Sequence, residues 1–552
     1  GEIEARRAED EGLLVLELGD DWTPYIFSEQ SHPEQTPVPN AYRETYLALA
    51  RGEFPDNHHG ARARVDKYLE LYGIPPTLTL LRTRYEATAS KQCVAELDFE
   101  PLRSFRGFVS YESNKGAERR AKGYEAAQRV VRRLMQQQRV DDVASLDLTS
   151  LSNADKRAVR DYKEIGPEYA AIVAAQARLL CEGYLARGTR YVRGGLDWPT
   201  HEALADLERR HRVFGWGFIG RDTLPILQRP PIEGDHAAVI RVLTERAMHA
   251  AGVIEDGSRS STCGGEANSC SAEDGALGTF IGADGRSHPV PNFEEQLRTR
   301  IIEAFGLETP ESTLAFLRGL GEIGASRRVA IPGIELPEYY SDDMPLSVEI
   351  DRGDVWYEFP YDEQGNERPQ PVGRRPRLTI YTEYRGRKIP LVRIGSTVGG
   401  WRSEYVGGTL MWKYKGSPSG DRVWRRIVAA PVWVPPESSP PRGLLVRNGG
   451  TGKNRWAVNI HEMGPSYASA YGLVAAYHQR EYERDGVVSY GGDEGIRTHG
   501  SVDYMSIMRR HSHGCHRLHN HMAVRLMSFV LKHRAHRRVG NEPLRYGRSF
   551  ER

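Results

Sequence analysis

Long apolar runs are missing from this sequence. No stretch approaches the roughly 18 apolar residues of a membrane-spanning helix. The most apolar helix-like segment, Ala170 to Leu180, is broken by Gln176 and Arg178. Net charge is missing too: 75 basic residues stand against 74 acidic ones, so a global electrostatic case for nucleic acid is absent. Cysteine is scarce, five in 552 residues, and no Cys-x-x-Cys clip occurs. That argues against a thiolate-rich zinc site. No internal repeat or long low-complexity tract is present either, so nothing marks a repeat architecture. What remains is 39% apolar and 27% charged, the composition of a globular protein. It is too long for one ordinary core, and roughly two to four domains are expected.

The chain opens at Gly1 with a charged start (Glu2, Glu4, Arg6, Arg7, Glu9). A removed signal peptide or a trimmed chain would both open this way. Residues 1–61 read as an irregular lead-in, relieved by a helix-like piece around Ala41 to Arg51. Residues 62–327 read as helical: Ala126, Val130, Val131, Leu134 and Met135 recur at helix spacing, as do Ile172, Val173, Ala175, Leu179 and Leu180. A Gly/Ser-rich insert lies at about 256–287. After Arg327 the texture changes. Leu346 to Ile350, Arg377 to Glu383 and Ile389 to Ile394 run short and β-branched, with turn signals at 362–365, 384–386 and 396–399. Six of nine tryptophans fall between 356 and 456, as a β-rich core favours. Residues 328–552 are therefore expected to form a β-rich domain. Within it, Ser466 to Asp485 reads as an inserted helix, either a packed surface helix or a lid or wall of a groove, and Met522 to Leu531 as another helix. The fold class expected is α+β and multidomain.

Cys263 and Cys270 flank a polar, turn-rich loop and are a candidate disulfide; two solvent-facing thiols are the alternative. Cys93 and Cys181 sit beside apolar residues and read as buried small hydrophobes. Cys515 is left over. A thiol is nucleophilic only as thiolate and needs a nearby base or positive field. The surrounding segment offers His499, His511, His513, His516, His519 and His521. Gly514, directly before the cysteine, permits a tight backbone approach, so the Gly514 and Cys515 N–H groups can point at one oxyanion. Two other readings compete: a metal site built from these histidines and Cys515, against which the crowded spacing counts, and a histidine-rich surface loop beside an incidental thiol.

The wording of the segment decides between them. Thr498-His499-Gly500-Ser501, followed by Ser512-His513-Gly514-Cys515-His516-Arg517-Leu518, resembles the signature of the L,D-transpeptidase (YkuD-like) catalytic domain. The spacer from His499 to Ser512 is towards the short end for that family. The resemblance covers residues 495–530 firmly and 375–540 more loosely, and implies a β-rich fold opened by a strand pair such as 377–383 and 389–394. It implies Cys515 as nucleophile and His513 as proton acceptor, with the Gly500 carbonyl or Ser501 orienting its ring. His499 would shape the site and contact substrate. Gly514 and Cys515 N–H groups would form the oxyanion hole, Arg517 would anchor substrate or hold the loop, and Ser512 would be structural.

The implied reaction is attack on the L-centre carbonyl of diaminopimelate in a tetrapeptide stem, loss of D-alanine, and transfer of the thioester to an amine, giving a 3→3 cross-link. No metal or organic cofactor is implied. A hydrolase on the same scaffold, an L,D-carboxypeptidase or a cross-link-cleaving enzyme, is the first alternative, and a non-catalytic wall-binding protein the second. A further stretch, about 178–230, resembles the small three-helix peptidoglycan-binding domain. Gly195-Leu-Asp197-Trp-Pro-Thr200 and Gly220-Arg-Asp222-Thr223 each place Asp and Thr before a short helix, where they satisfy orphan N–H groups. Together the resemblances imply partners in peptidoglycan stem peptides and glycan, and a place in the bacterial cell envelope, periplasmic or otherwise outside the cytoplasm.

Overall fold

The first strand of the chain lies inside the stretch expected to be irregular. In the computed structural model β1 (Leu13–Glu17) pairs antiparallel with β2 (Arg328–Pro332), setting Leu13 opposite Pro332 and Glu17 opposite Arg328. The structure describes residues 5–29, 37–53, 69–259, 278–354, 358–359, 361–366, 368, 375–435, 444–447, 456–508 and 512–541. The fold is mixed α+β, and no helix among these residues is long and apolar enough to cross a membrane. The candidate pair Cys263 and Cys270 lies outside the described residues.

Two compact units form, and neither is contiguous. The first takes Gly1–Leu80, Ile240–Glu308 and Gly319–Arg552; the second takes Leu81–Val239 and Thr309–Arg318. The linear borders expected after 61 and after 327 do not coincide with these. The lead-in belongs to the β-bearing unit because β1 needs a ladder partner and finds it at β2.

In the first unit β3 (Leu346–Asp351), β4 (Arg377–Tyr384) and β5 (Arg387–Gly395) make an antiparallel sheet. A separate hairpin follows, β6 (Gly399–Val406) with β7 (Thr409–Gly416). The sheet that matters most is four-stranded: β8 (Arg422–Ala429), β9 (Val474–Arg484), β10 (Val487–Ser501) and β11 (His516–His519), adjacent in that order. The first three run antiparallel, whereas β10 and β11 run parallel. Parallel neighbours need a crossover of about a dozen residues or more. Residues 502–515, with the short helix Tyr504–Met508, supply it.

Strand β9 corrects the expected helix at 466–485. Val474, Ala475 and Ala476 are all buried, because β9 is a central strand flanked by β8 and β10. An apolar run buried on both faces does not alternate, and over a few residues it imitates helix periodicity. The expected C-terminal helix does form, over Asn520–Lys532, and its buried side chains include Val524, Leu526, Met527 and Phe529. It packs on β9, β10 and β11 and joins a core containing Phe27, Tyr46, Ile380, Leu391, Val474 and Leu518. Arg525, buried in this helix, is matched by Glu245 and Glu294, its Nη1 donating to Glu294 at 2.5 Å. A buried guanidinium is tolerable only with such partners.

The second unit is helical. Asn114–Gln138 and Asn153–Glu182 are its long helices, started by Ser113 and Ser152, whose side chains accept from Gly116 N and Asp155 N. In the segment likened to a peptidoglycan-binding domain, Asp197 caps Trp198–Arg210 by accepting from Thr200 N, as its sequence suggested. Thr223 does not cap in this way. Its hydroxyl turns to the buried Glu208 instead, a carboxyl that burial pushes up to about 7. Cys93 and Cys181 are not lone buried thiols either. They are half-buried and joined to each other, Cα to Cα 5.8 Å, linking the turn Gln92–Glu96 to the last turn of Asn153–Glu182. Apolar neighbours described their setting correctly and missed that the settings were one.

Candidate active site

The parallel β10–β11 pair explains why two histidine-bearing motifs with a spacer between them meet. Thr498 lies opposite His516, His499 opposite Arg517, Gly500 opposite Leu518 and Ser501 opposite His519. Side chains alternate along a strand. Arg497, His499, Cys515 and Arg517 therefore share one face, and Thr498 and His516 share the other. Cys515 stands immediately before β11, which separates it from the helix Asn520–Lys532.

Several short side chains fasten the cysteine loop. The Thr397 hydroxyl donates to the Cys515 carbonyl at 2.9 Å and accepts from Arg517 N at 3.1 Å. Ser396 donates to the Arg517 carbonyl at 3.2 Å. Ser417 donates to the Gly514 carbonyl. Nothing in the sequence singled these residues out except a turn signal at 396–399. They stand at the two feet of the β6–β7 hairpin, one pair before β6 and Ser417 after β7. Gly514 has φ +109°, a backbone conformation that side chains rarely adopt. Gly500 is glycine for a different reason: a Cβ there would fall 1.9 Å from Asn520 Oδ1, which accepts from Leu473 N at 3.0 Å.

The two candidate bases are placed differently. His499 is buried, 2% exposed, and its Nδ1 meets the Gly500 carbonyl at 2.6 Å. A carbonyl at Nδ1 fixes that nitrogen as the donor and leaves Nε2 with the lone pair. His513, which the resemblance pointed to, is exposed. The Gly500 carbonyl, expected beside His513, meets the His499 ring. Ser501 is buried and accepts from Asp503 N at 3.2 Å. The Ser512 hydroxyl accepts from Gly514 N at 3.2 Å. That bond occupies one of the two N–H groups expected in the oxyanion hole and leaves the Cys515 N–H as the other.

No family model, no curated protein and no solved structure matches this chain.

Charge at the site follows from burial. Burial pushes the Cys515 thiol up, against the Arg497 backbone N–H and the Arg497 and Arg517 guanidiniums, which pull it down. The resting thiol is protonated and donates to the Gly495 carbonyl at 3.6 Å. Burial, and then the Arg517 guanidinium, hold His499 down at about 3, so its imidazole is neutral at ordinary pH. Tyr471 connects the two. Its ring centroid lies 4.8 Å from that of His499, and burial followed by the nearby Cys515 raises its hydroxyl. Tyr471 falls in the stretch expected to be an inserted helix, which hid it. Arg517 is largely buried and reaches Asp503 at 3.7 Å. The Nε of Arg497 and that of Arg517 are both buried and meet no acceptor. Buried donors without partners are rare in folded proteins.

Proposed function

We propose that this chain is a cysteine acyltransferase of the L,D-transpeptidase type, acting on peptidoglycan stem peptides. The observation that carries the reading is that the parallel β10–β11 ladder brings the His499 segment beside the strand that Cys515 directly precedes, with the His499 imidazole oriented by the Gly500 carbonyl. The motif resemblance supplies the substrate class.

In the proposed cycle the Cys515 sulfur attacks the L-centre carbonyl of diaminopimelate in a tetrapeptide stem. The resting pair is a neutral thiol and a neutral imidazole, so the proton leaves sulfur for His499 Nε2 as the S–C bond forms. The oxyanion draws on the Cys515 N–H and on the unused Nε–H groups of Arg497 and Arg517. The C–N bond to D-alanine then breaks, and His499 returns the proton to the departing amine. An acceptor amine attacks the thioester, gives its proton to His499, and releases Cys515 as thiol. No redox step or cofactor enters.

The disulfide in the second unit favours an oxidising compartment, which agrees with a place in the cell envelope. The segment at about 178–230 would then hold the chain to the wall. Disaccharide-tetrapeptide, incubated with the protein and followed by mass spectrometry, tests the reading. A cross-linked dimer lacking one D-alanine is the expected product. Tripeptide alone would move the assignment to a hydrolase, and no turnover would overturn it.

A further inference from the structure

The second unit carries aromatic rings on its outside that its core does not use. Val109 and Ile219 exchange backbone hydrogen bonds at 2.8 and 3.1 Å, and both side chains are buried with Leu196, Leu204 and Leu207. Successive side chains of an extended segment point to opposite sides. Phe108, next to Val109, is accordingly 64% exposed, and Phe218, next to Ile219, lies half-buried beside it. The helix Trp198–Arg210 buries Thr200, Ala203, Leu204 and Leu207. That leaves Trp198, 48% exposed, and His201, one turn on, at its surface.

These rings form one continuous row. Phe108 meets Phe218 edge-on, centroids 5.7 Å apart, and Phe218 meets His201 at 5.6 Å. His201 then meets both Tyr111 and Trp198 at 5.3 Å. Tyr111, 38% exposed, closes the row edge-on to Trp198 at 5.5 Å. The backbone makes room for it. A Cβ at Gly220 would fall 2.7 Å from the Phe108 ring, and one at Gly217 would fall 2.7 Å from His201 Nδ1. Glu112 N donates to the Leu196 carbonyl at 3.0 Å and Trp198 N to Asn114 Oδ1 at 3.3 Å, which fixes the two segments to each other.

A contiguous patch of exposed rings marks a contact site, and the edges of these rings narrow the choice of partner. Among the described residues nothing pairs with the Tyr111 hydroxyl or accepts from the Trp198 indole N–H, and His201 uses only Nδ1, on the Gly217 carbonyl at 3.0 Å. Apolar faces and polar edges therefore alternate along the row. An apolar helix or an acyl chain would leave those edges unmet. A pyranose meets both, its C–H face stacking on a ring while its hydroxyls reach the ring edges. Glu112, beside Tyr111, is matched by Arg120 at 3.7 Å, so the row calls for no charge. Protein hot spots cluster at the centre of a wide, water-excluding patch. Here the two most exposed rings, Phe108 and Trp198, stand towards opposite ends, as a linear polymer lying along the row requires.

We infer that Phe108, Tyr111, Trp198, His201 and Phe218 form a glycan-binding face, on which a β-linked strand of N-acetylated hexosamines lies with its sugar rings stacked on the aromatic ones. The inference rests on the function proposed above for the identity of the polymer, and it names which part of that polymer the second unit meets: the sugar strand, not the stem peptide. Phe108 and Tyr111 come from outside the segment 178–230, so the face is assembled from two separate stretches of chain. Rings seated on glycine and on a core-anchored bridge are already in place before the glycan arrives, which lowers the entropy lost on binding.

The test uses a peptide-free probe, so it does not depend on thiol chemistry. The full chain is titrated calorimetrically with the β-1,4-linked hexamer of N-acetylglucosamine, and saturable binding is expected. Trp198→Ala and Tyr111→Ala should each weaken it roughly tenfold, the scale of one lost stacking contact. Trp198→Phe keeps a ring face and should weaken it by less than about threefold. Denaturant midpoints should stay where they are in all three, since the rings lie outside the core. No binding of the hexamer, binding that survives Trp198→Ala with Tyr111→Ala, or an equal loss in Trp198→Phe and Trp198→Ala would overturn the face. Self-association in sedimentation that Trp198→Ala abolishes would give the row to a second copy and overturn it as well. Absence of D-alanine release from disaccharide-tetrapeptide, with ring-dependent binding of the hexamer present, would overturn the transpeptidase reading and leave the glycan face standing.

Discussion

The two faces of the β10–β11 ladder carry the same kinds of side chain and use them in opposite ways. On one face Trp424 Nε1 donates to His478 Nε2 at 2.9 Å, and His478 Nε2 meets the Thr498 hydroxyl at 2.8 Å. Thr498 meets His516 Nδ1 at 3.3 Å, and His516 Nε2 meets the Ser417 hydroxyl at 2.8 Å. Each of these atoms has a neighbouring partner, and the chain ends by gripping the cysteine loop. On the other face stand Arg497, His499, Cys515 and Arg517. There the thiol donates to a carbonyl at 3.6 Å and receives the Arg497 backbone N–H, and two arginine Nε groups have no acceptor. A buried polar group costs free energy until it is paired. The closed face spends its polar groups on holding the loop, whereas the open face keeps them for something that arrives.

The largest effect that would break this comparison concerns the histidines. His499→Ala should lower the rate of Cys515 acylation by about 10²- to 10⁴-fold, the usual worth of a positioned general base. His513→Ala should change that rate by less than about tenfold. Stopped-flow acylation by a peptidyl thioester measures both, and the reverse order would return the base to His513.

A substitution on the closed face should act on stability first. Ser417→Ala removes the hydroxyl that reaches both Gly514 O and His516 Nε2. A loss of about 1–3 kcal/mol in denaturant unfolding is expected for a buried group left unpaired. Acylation should slow by less than for His499→Ala, since the loop is loosened but the base remains.

Acid should find the closed face as well. Burial holds His478 at about 4 and His516 at about 3, against 6.5 for a free imidazole; His499, at about 3, behaves alike. Between pH 6.5 and about 4 the unfolded chain takes up protons that the folded chain refuses. Stability therefore falls as pH falls through that window. Denaturant midpoints taken from pH 7 down to pH 4.5 should decline, and less steeply in His478→Gln with His516→Gln. A midpoint that holds steady in the parent chain would show that these imidazoles are not buried neutral.

Much of the open face was legible in the chain itself. Cys515, His499, Gly500, Gly514 and Arg517 announced themselves through a motif, and the spacer between its halves is the crossover that a parallel strand pair needs. That the Gly500 carbonyl meets the His499 ring was not legible, because it depends on ring placement and not on residue type. Tyr471, Thr397 and Ser417 were hidden for a related reason. A tyrosine in an apolar run looks like core, and hydroxyls in turns look like turn formers. Strand β9 was misread because burial on both faces removes the alternation that marks a strand. The disulfide partner of Cys93 lies 88 residues away, a separation over which local pattern is silent.

The central claim, that Cys515 accepts the acyl group with His499 as its base, is tested most directly by intact-protein mass spectrometry after mixing with disaccharide-tetrapeptide. The wild-type chain should gain the mass of the stem less D-alanine at Cys515, His499→Ala should gain it far more slowly, and Cys515→Ala should gain none and release no D-alanine. Release of D-alanine by Cys515→Ala, or an adduct formed as fast without His499 as with it, would contradict the account.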